Sequence, residues 1–191
     1  PGTSFDLKSN MGRSDERVLL HYLLRNAWGF GEAKAPRYLL AGHRNVDRFQ
    51  REIEAFRATT AHQIDPEFSA QLVAAVDARA TGDRNAKRQT LHERFEALLP
   101  SFSRKTSQPD RDAREARQAL IGDLRRVLAA TCIRSLKPDL VILDEFQRFA
   151  HLLSDDDGDD AALLARELFT YGEAHERTRV LMLSATPYKM Y

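Results

Sequence analysis

Residues 140–149 read LVILDEFQRF: four aliphatic residues in a row, then two adjacent acids, Asp144 and Glu145. An apolar run this short, preceded by the breaker Lys137-Pro138-Asp139, suits a strand buried on both faces of a parallel sheet. Val180-Leu181-Met182-Leu183 is a second run of the same kind. Between them, Phe146, Phe149, Leu152 and Leu153 are spaced as on a helix. An acidic loop follows, Asp155 to Asp160, and then a helical stretch from Ala161 to Gly172. Strand, helix, helix, strand is the alternation that builds a parallel sheet. The C-terminal part therefore points to the α/β class.

The rest of the chain carries a different pattern. Ser14 before Asp15 and Glu16 reads as a helix cap followed by acids at the positive end of the dipole. Val18, Leu19, Tyr22, Leu23 and Ala27 follow at helical spacing, and Gly29 and Gly31 end the run. Arg37 to Ala41 fits a short strand or a helical turn. His43 to Ala58 predicts a helix with Val46, Phe49, Ile53 and Phe56 on one face. Asp65-Pro66 is a cap with a first-turn proline, opening a helix to about Ala80. A further helix points Leu91, Phe95 and Leu98 inward. Pro100 to Pro109 is a polar loop. From Asp110 a long helix carries Ala116, Leu120, Leu124, Val127, Leu128 and Ile133. Residues 43–136 are thus all-helical, too long for an ordinary crossover, and read as a helical insertion. The expected divisions are 1–42, 43–136 and 137–191.

With 191 residues and 42% apolar composition, a sizeable core is expected. The net charge of +1 hides an asymmetry: residues 79–126 hold twelve Lys/Arg against seven Asp/Glu, and residues 139–176 hold two against eleven. A basic face beside an acidic site suits a polyanionic partner, although solvated helix faces and one acidic loop produce the same asymmetry. The single cysteine, Cys132, excludes an internal disulfide and reads as a buried thiol. No apolar run has the length of a membrane span, so no membrane partner and a cytoplasmic location are expected.

Two acids at the carboxyl edge of a parallel sheet have separate uses, because α/β folds bind ligands at that edge. Asp144, at the strand tip, can hold a nucleotide-bound Mg²⁺ through water. Glu145, one residue on, can orient and polarise an attacking water. A strand leading into Asp144-Glu145-Phe146-Gln147, followed about forty residues later by a strand leading into Ser184-Ala185-Thr186-Pro187, resembles motifs II and III of superfamily-2 helicases and translocases. The resemblance covers residues 139–191. Gly2, Thr3 and Ser4 resemble the loop with which the family touches a nucleic-acid backbone.

The resemblance implies a partial RecA-like parallel sheet with a large all-helical insertion. It implies ATP and Mg²⁺ as cofactors. Asp144 would hold the metal and Glu145 would act on the water. Gln147, in place of the commoner His or Asp, would link the nucleotide site to motif III. Ser184, Ala185 and Thr186 would couple hydrolysis to movement on nucleic acid, DNA in preference to RNA. The sequence holds no GxxxxGK[ST] phosphate loop. It is therefore read as a fragment, inactive alone, of a longer motor. That motor would supply the phosphate-loop segment upstream and a second motor domain downstream. Arg84, Lys87, Arg88, Arg104 and Lys105 are further candidates for backbone contacts. Sheet edges left open by the cut would lower solubility. Two alternatives stand beside this reading: a non-catalytic nucleic-acid-binding or scaffold module derived from a helicase, and an ATPase acting on protein. The acidic loop 155–160 lacks the glycine and terminal Glu of a Ca²⁺ loop, and the six histidines show no metal spacing.

Overall fold

Side-chain caps open three of the α-helices, those starting at Pro66, Leu91 and Arg111, while the first three begin without one. A computed structural model describes residues 10–81, 88–103, 109–136, 140–143 and 179–183. Two units divide the chain, Pro1–Leu128 and Ala129–Tyr191.

The first unit contains α1 (Ser14–Ala27), α2 (Lys34–Ala41), α3 (Val46–Thr59), α4 (Pro66–Ala78), α5 (Leu91–Leu98) and most of α6 (Arg111–Leu136). Asp65 caps α4 as expected, its side chain accepting from the Glu67 N–H at 2.8 Å with Pro66 in the first turn. Asp110 caps α6 in the same way, accepting from Ala113 N–H at 2.7 Å. α5 opens on a reciprocal capping box between Thr90 and Glu93. Gly29 and Gly31, with φ of 64° and 49°, turn the chain away after α1. Residues 37–41 resolve as the end of α2 rather than a strand. The short antiparallel pair β1 (Ala80–Thr81) and β2 (Gln89–Thr90) had no counterpart in the sequence reading. Ser14 does not cap α1: it is the first helical residue, and its hydroxyl donates to the Glu52 carboxylate on α3.

α1, α2 and α3 pack on one another, and α4 packs on α1 and α5. Leu20, Leu24, Leu39, Leu40, Phe49, Ile53, Leu72, Val76, Leu91, Phe95, Leu120, Ile121 and Leu124 form the buried core. The expected inward faces hold for Val46, Phe49 and Ile53, for Leu91 and Phe95, and for Leu120, Leu124, Val127 and Leu128. Ala116 is exposed. Trp28 fastens three helices: its ring stacks on His92 at 4.9 Å, meets Phe95 at 4.9 Å, and its Nε1 donates to Asp77 at 3.1 Å. Full burial of such side chains stabilises by about 1.5–3 kcal/mol each.

α6 is tied in by charge. Arg125 pairs with Glu16 of α1, both side chains more than nine-tenths buried. Asp123 receives Arg94 of α5 at 2.6 Å and Arg126 at 2.5 Å. Arg117 donates to the carbonyls of Leu39 and Leu40, which lie at the end of α2.

In the second unit, β3 (Leu140–Leu143) and β4 (Arg179–Met182) pair in parallel. Among the described residues the chain is thus mainly helical, with a small parallel sheet. The strands are not buried as expected: Leu140, Ile142 and Met182 are 50%, 57% and 51% exposed. A parallel sheet buries both faces only under covering layers, and no third strand joins these two among the described residues. Cys132 is half-buried, and burial pushes its thiol up to about 11, so it is a poor nucleophile.

His21 is buried between Phe30 and Phe49, and neither ring nitrogen has a hydrogen-bond partner among the described residues. Burial first, and then the charges of Arg37 and Arg57, lower it from 6.5 to about 4. The unfolded chain takes up the proton near pH 6.5 and the folded one does not. Stability is therefore intact above that pH and lost as pH falls toward 4. Going from pH 7 to pH 5 should cost roughly 2 kcal/mol through this residue. His21→Phe should remove that share of the pH dependence, read from urea unfolding at the two pH values.

Candidate functional site

A parallel strand pair defines one carboxyl edge, and its register decides which chain positions reach that edge together. Leu140 pairs with Arg179, Val141 with Val180, Ile142 with Leu181 and Leu143 with Met182. The two strands run the same way and end level. Asp144 is the next residue in the chain after Leu143, and Ser184 is the second after Met182. The register thus brings together the strand ends from which the two acid- and hydroxyl-bearing segments depart.

The side chains themselves, Asp144, Glu145, Gln147, Ser184, Ala185 and Thr186, lie outside the described residues. So do Gly2, Thr3 and Ser4, and the basic residues Arg84, Lys87, Arg104 and Lys105. Arg88 is described and exposed. Among the described residues no cluster of His, Cys, Asp and Glu could hold a metal ion. No helix there is long and apolar enough to cross a membrane.

Side chains alternate along a strand, and paired residues of parallel strands share a face. One face of the sheet therefore carries Leu140, Ile142, Arg179 and Leu181, and the other carries Val141, Val180 and Met182. Both faces are apolar and exposed, a surface that is seldom left uncovered.

Sequence reading missed a cluster in the helical unit. Arg17 on α1, Arg44 in the turn after α2, and Arg114 and Arg117 on α6 line one cleft. The only local signal was the spacing of Arg114 and Arg117, which puts them one helical turn apart. The other two come from elsewhere in the chain and meet them only in the fold.

Comparison with protein-family models, with curated proteins and with solved structures finds no match.

Ile142 and Leu181 neighbour one another on the same exposed face. In the 191-residue chain alone, Ile142→Lys with Leu181→Lys should cut self-association, measured by sedimentation velocity. Thermal unfolding of the helical unit should stay within about 0.5 kcal/mol of its starting value, as for other exposed positions.

Proposed function

We propose that residues 137–191 form the motif II to motif III part of a RecA-like motor domain. The parent would be a superfamily-2 helicase-like ATPase that couples MgATP hydrolysis to translocation along, or remodelling of, nucleic acid, DNA in preference to RNA. Residues 43–136 would be a helical insertion in that domain, and 1–42 its preceding part. One observation carries the reading: β3 and β4 pair in parallel with their ends level. Two separated motifs can act on one nucleotide only if their strands deliver them to the same edge, and this register supports that.

The donor chemistry fits the proposed cofactor, since carboxylate oxygens are what Mg²⁺ prefers. When bound, the metal neutralises phosphate charge. Asp144 would accept hydrogen bonds from its water shell. Glu145 would hold the hydrolytic water in line and take its proton as attack begins. Gln147 would bridge by amide hydrogen bonds, donating and accepting at once, with no charge to titrate. Ser184 and Thr186, flanking Ala185, would hydrogen-bond toward motif II and so report the state of the nucleotide. Gly2, Thr3 and Ser4 would approach a phosphate backbone through their N–H groups.

Glu145→Gln in the intact protein keeps shape and removes the base. It should lower the ATPase rate by about 100-fold or more while ATP still binds. An unchanged rate would exclude the role assigned to Glu145.

A further inference from the structure

The helical unit contains an open cleft of about 570 Å³. Arg17, Arg44, Arg114 and Arg117 line it, and among the described residues no carboxylate does. Nine other described arginines pair with acids: Arg13, Arg25, Arg37, Arg48, Arg57, Arg94, Arg111, Arg125 and Arg126. None of the four at the cleft has such a partner among the described residues.

Backbone carbonyls hold three of them instead. Arg17 Nη1 donates to Met11 O at 2.5 Å and to Gly12 O at 2.9 Å. Arg117 donates through Nε to Leu39 O and through Nη2 to Leu40 O at 3.2 Å. Arg114 Nε donates to Asp110 O at 3.2 Å. A carbonyl fixes a guanidinium in place but brings no full negative charge of its own. Arg17 Nη2 and Arg117 Nη1 donate to no described residue, and Arg17 Nε is buried without a partner. Burial lowers Arg17, partly offset by the nearby carboxylates of Glu16, Glu52 and Asp15, and it lowers Arg117 to about 10, with the Arg17 charge adding to the second shift. Both shifts reflect positive charge held out of water, which an anion would relieve.

The shape agrees. Gly42, with φ of 82°, passes beside Arg117: a Cβ there would lie 3.4 Å from Nη2. Phe102 lies under the Arg117 guanidinium, 5.8 Å from the ring centre, and supplies an apolar wall. The volume falls in the range of sites for small organic ligands, larger than a bare phosphate needs.

We propose that this cleft binds a phosphate group carried on an organic body, either a free nucleotide or the phosphodiester of a nucleic-acid strand. Planar guanidiniums held in a fixed arrangement are suited to phosphate oxygens. The proposal stands on the helical unit alone and does not depend on the motor reading.

Hydrogen–deuterium exchange on the intact protein provides a local readout. Millimolar pyrophosphate, AMP or an oligodeoxythymidylate should slow exchange of the backbone amides at Gly42–Asn45. Protection by AMP and pyrophosphate identifies a nucleotide site. Protection by the oligonucleotide alone, fading steeply with salt, identifies a phosphodiester site. Arg44→Ala with Arg114→Ala, both at exposed positions, should weaken the effective ligand by about tenfold or more. Arg44→Ala alone, at an exposed position with no partner among the described residues, should act in the same direction and guards against misfolding of the double variant. Absence of protection by all three probes, or protection unaltered in both variants, overturns the proposal.

Discussion

The Glu16–Arg125 pair fixes the geometry on which the helical unit depends. Two side chains 7% and 6% exposed can stay charged only by facing each other. Their pairing locks the start of α1 against α6 across more than a hundred residues of chain. It also dictates what precedes α1. Gly12 has φ of 50°, and a Cβ there would run into the Arg125 guanidinium and the Glu16 carboxylate. Only glycine lets the chain pass the pair, and that passage brings the Met11 and Gly12 carbonyls to Arg17. Arg117, two turns before Arg125 on α6, is thereby set against the end of α2. One buried ion pair thus carries the walls of the arginine cleft as a consequence.

The second unit rests on a weaker device. Parallel pairs are somewhat less stable per residue than antiparallel ones, and a sheet of two strands with apolar, exposed faces is marginal by itself. β3 and β4 nevertheless pair over all four residues with no slip in register. Arg179 is the one charged residue among the eight, so the pairing is driven by aliphatic neighbours with little polar content to specify it. Such a pair gains most when further layers cover it. The proposed motor domain would supply those layers, and it would give a physical reason for so apolar a sheet.

Local chemistry was legible wherever a residue had one job. Asp65-Pro66 and Asp110 opened helices as read, and the inward faces of α3 and α5 followed from spacing. Thr90 and Glu93 stand in the sequence at capping-box spacing, a signal that the helical spacing of Leu91, Phe95 and Leu98 alone does not carry. Ser14 misled because tertiary contact claimed it: its hydroxyl serves Glu52, 38 residues away, and not its own helix. Strand direction was legible from the αβ alternation, while burial was not, because it depends on what covers the sheet. The arginine cleft could not be read at all. Its members carry no periodicity relative to one another and acquire meaning only once α1, α2 and α6 meet. Of the candidate motor site, the strand register is described and the reacting side chains lie outside the described residues.

The proposed role of residues 137–191 in a nucleic-acid-dependent ATPase is tested most directly by measuring MgATP hydrolysis by the intact protein with and without single-stranded DNA. If that role holds, hydrolysis rises on adding DNA, and the stimulation weakens as salt is raised. Absence of hydrolysis with or without DNA or RNA would contradict it, and hydrolysis indifferent to both polymers would contradict the nucleic-acid half of the claim.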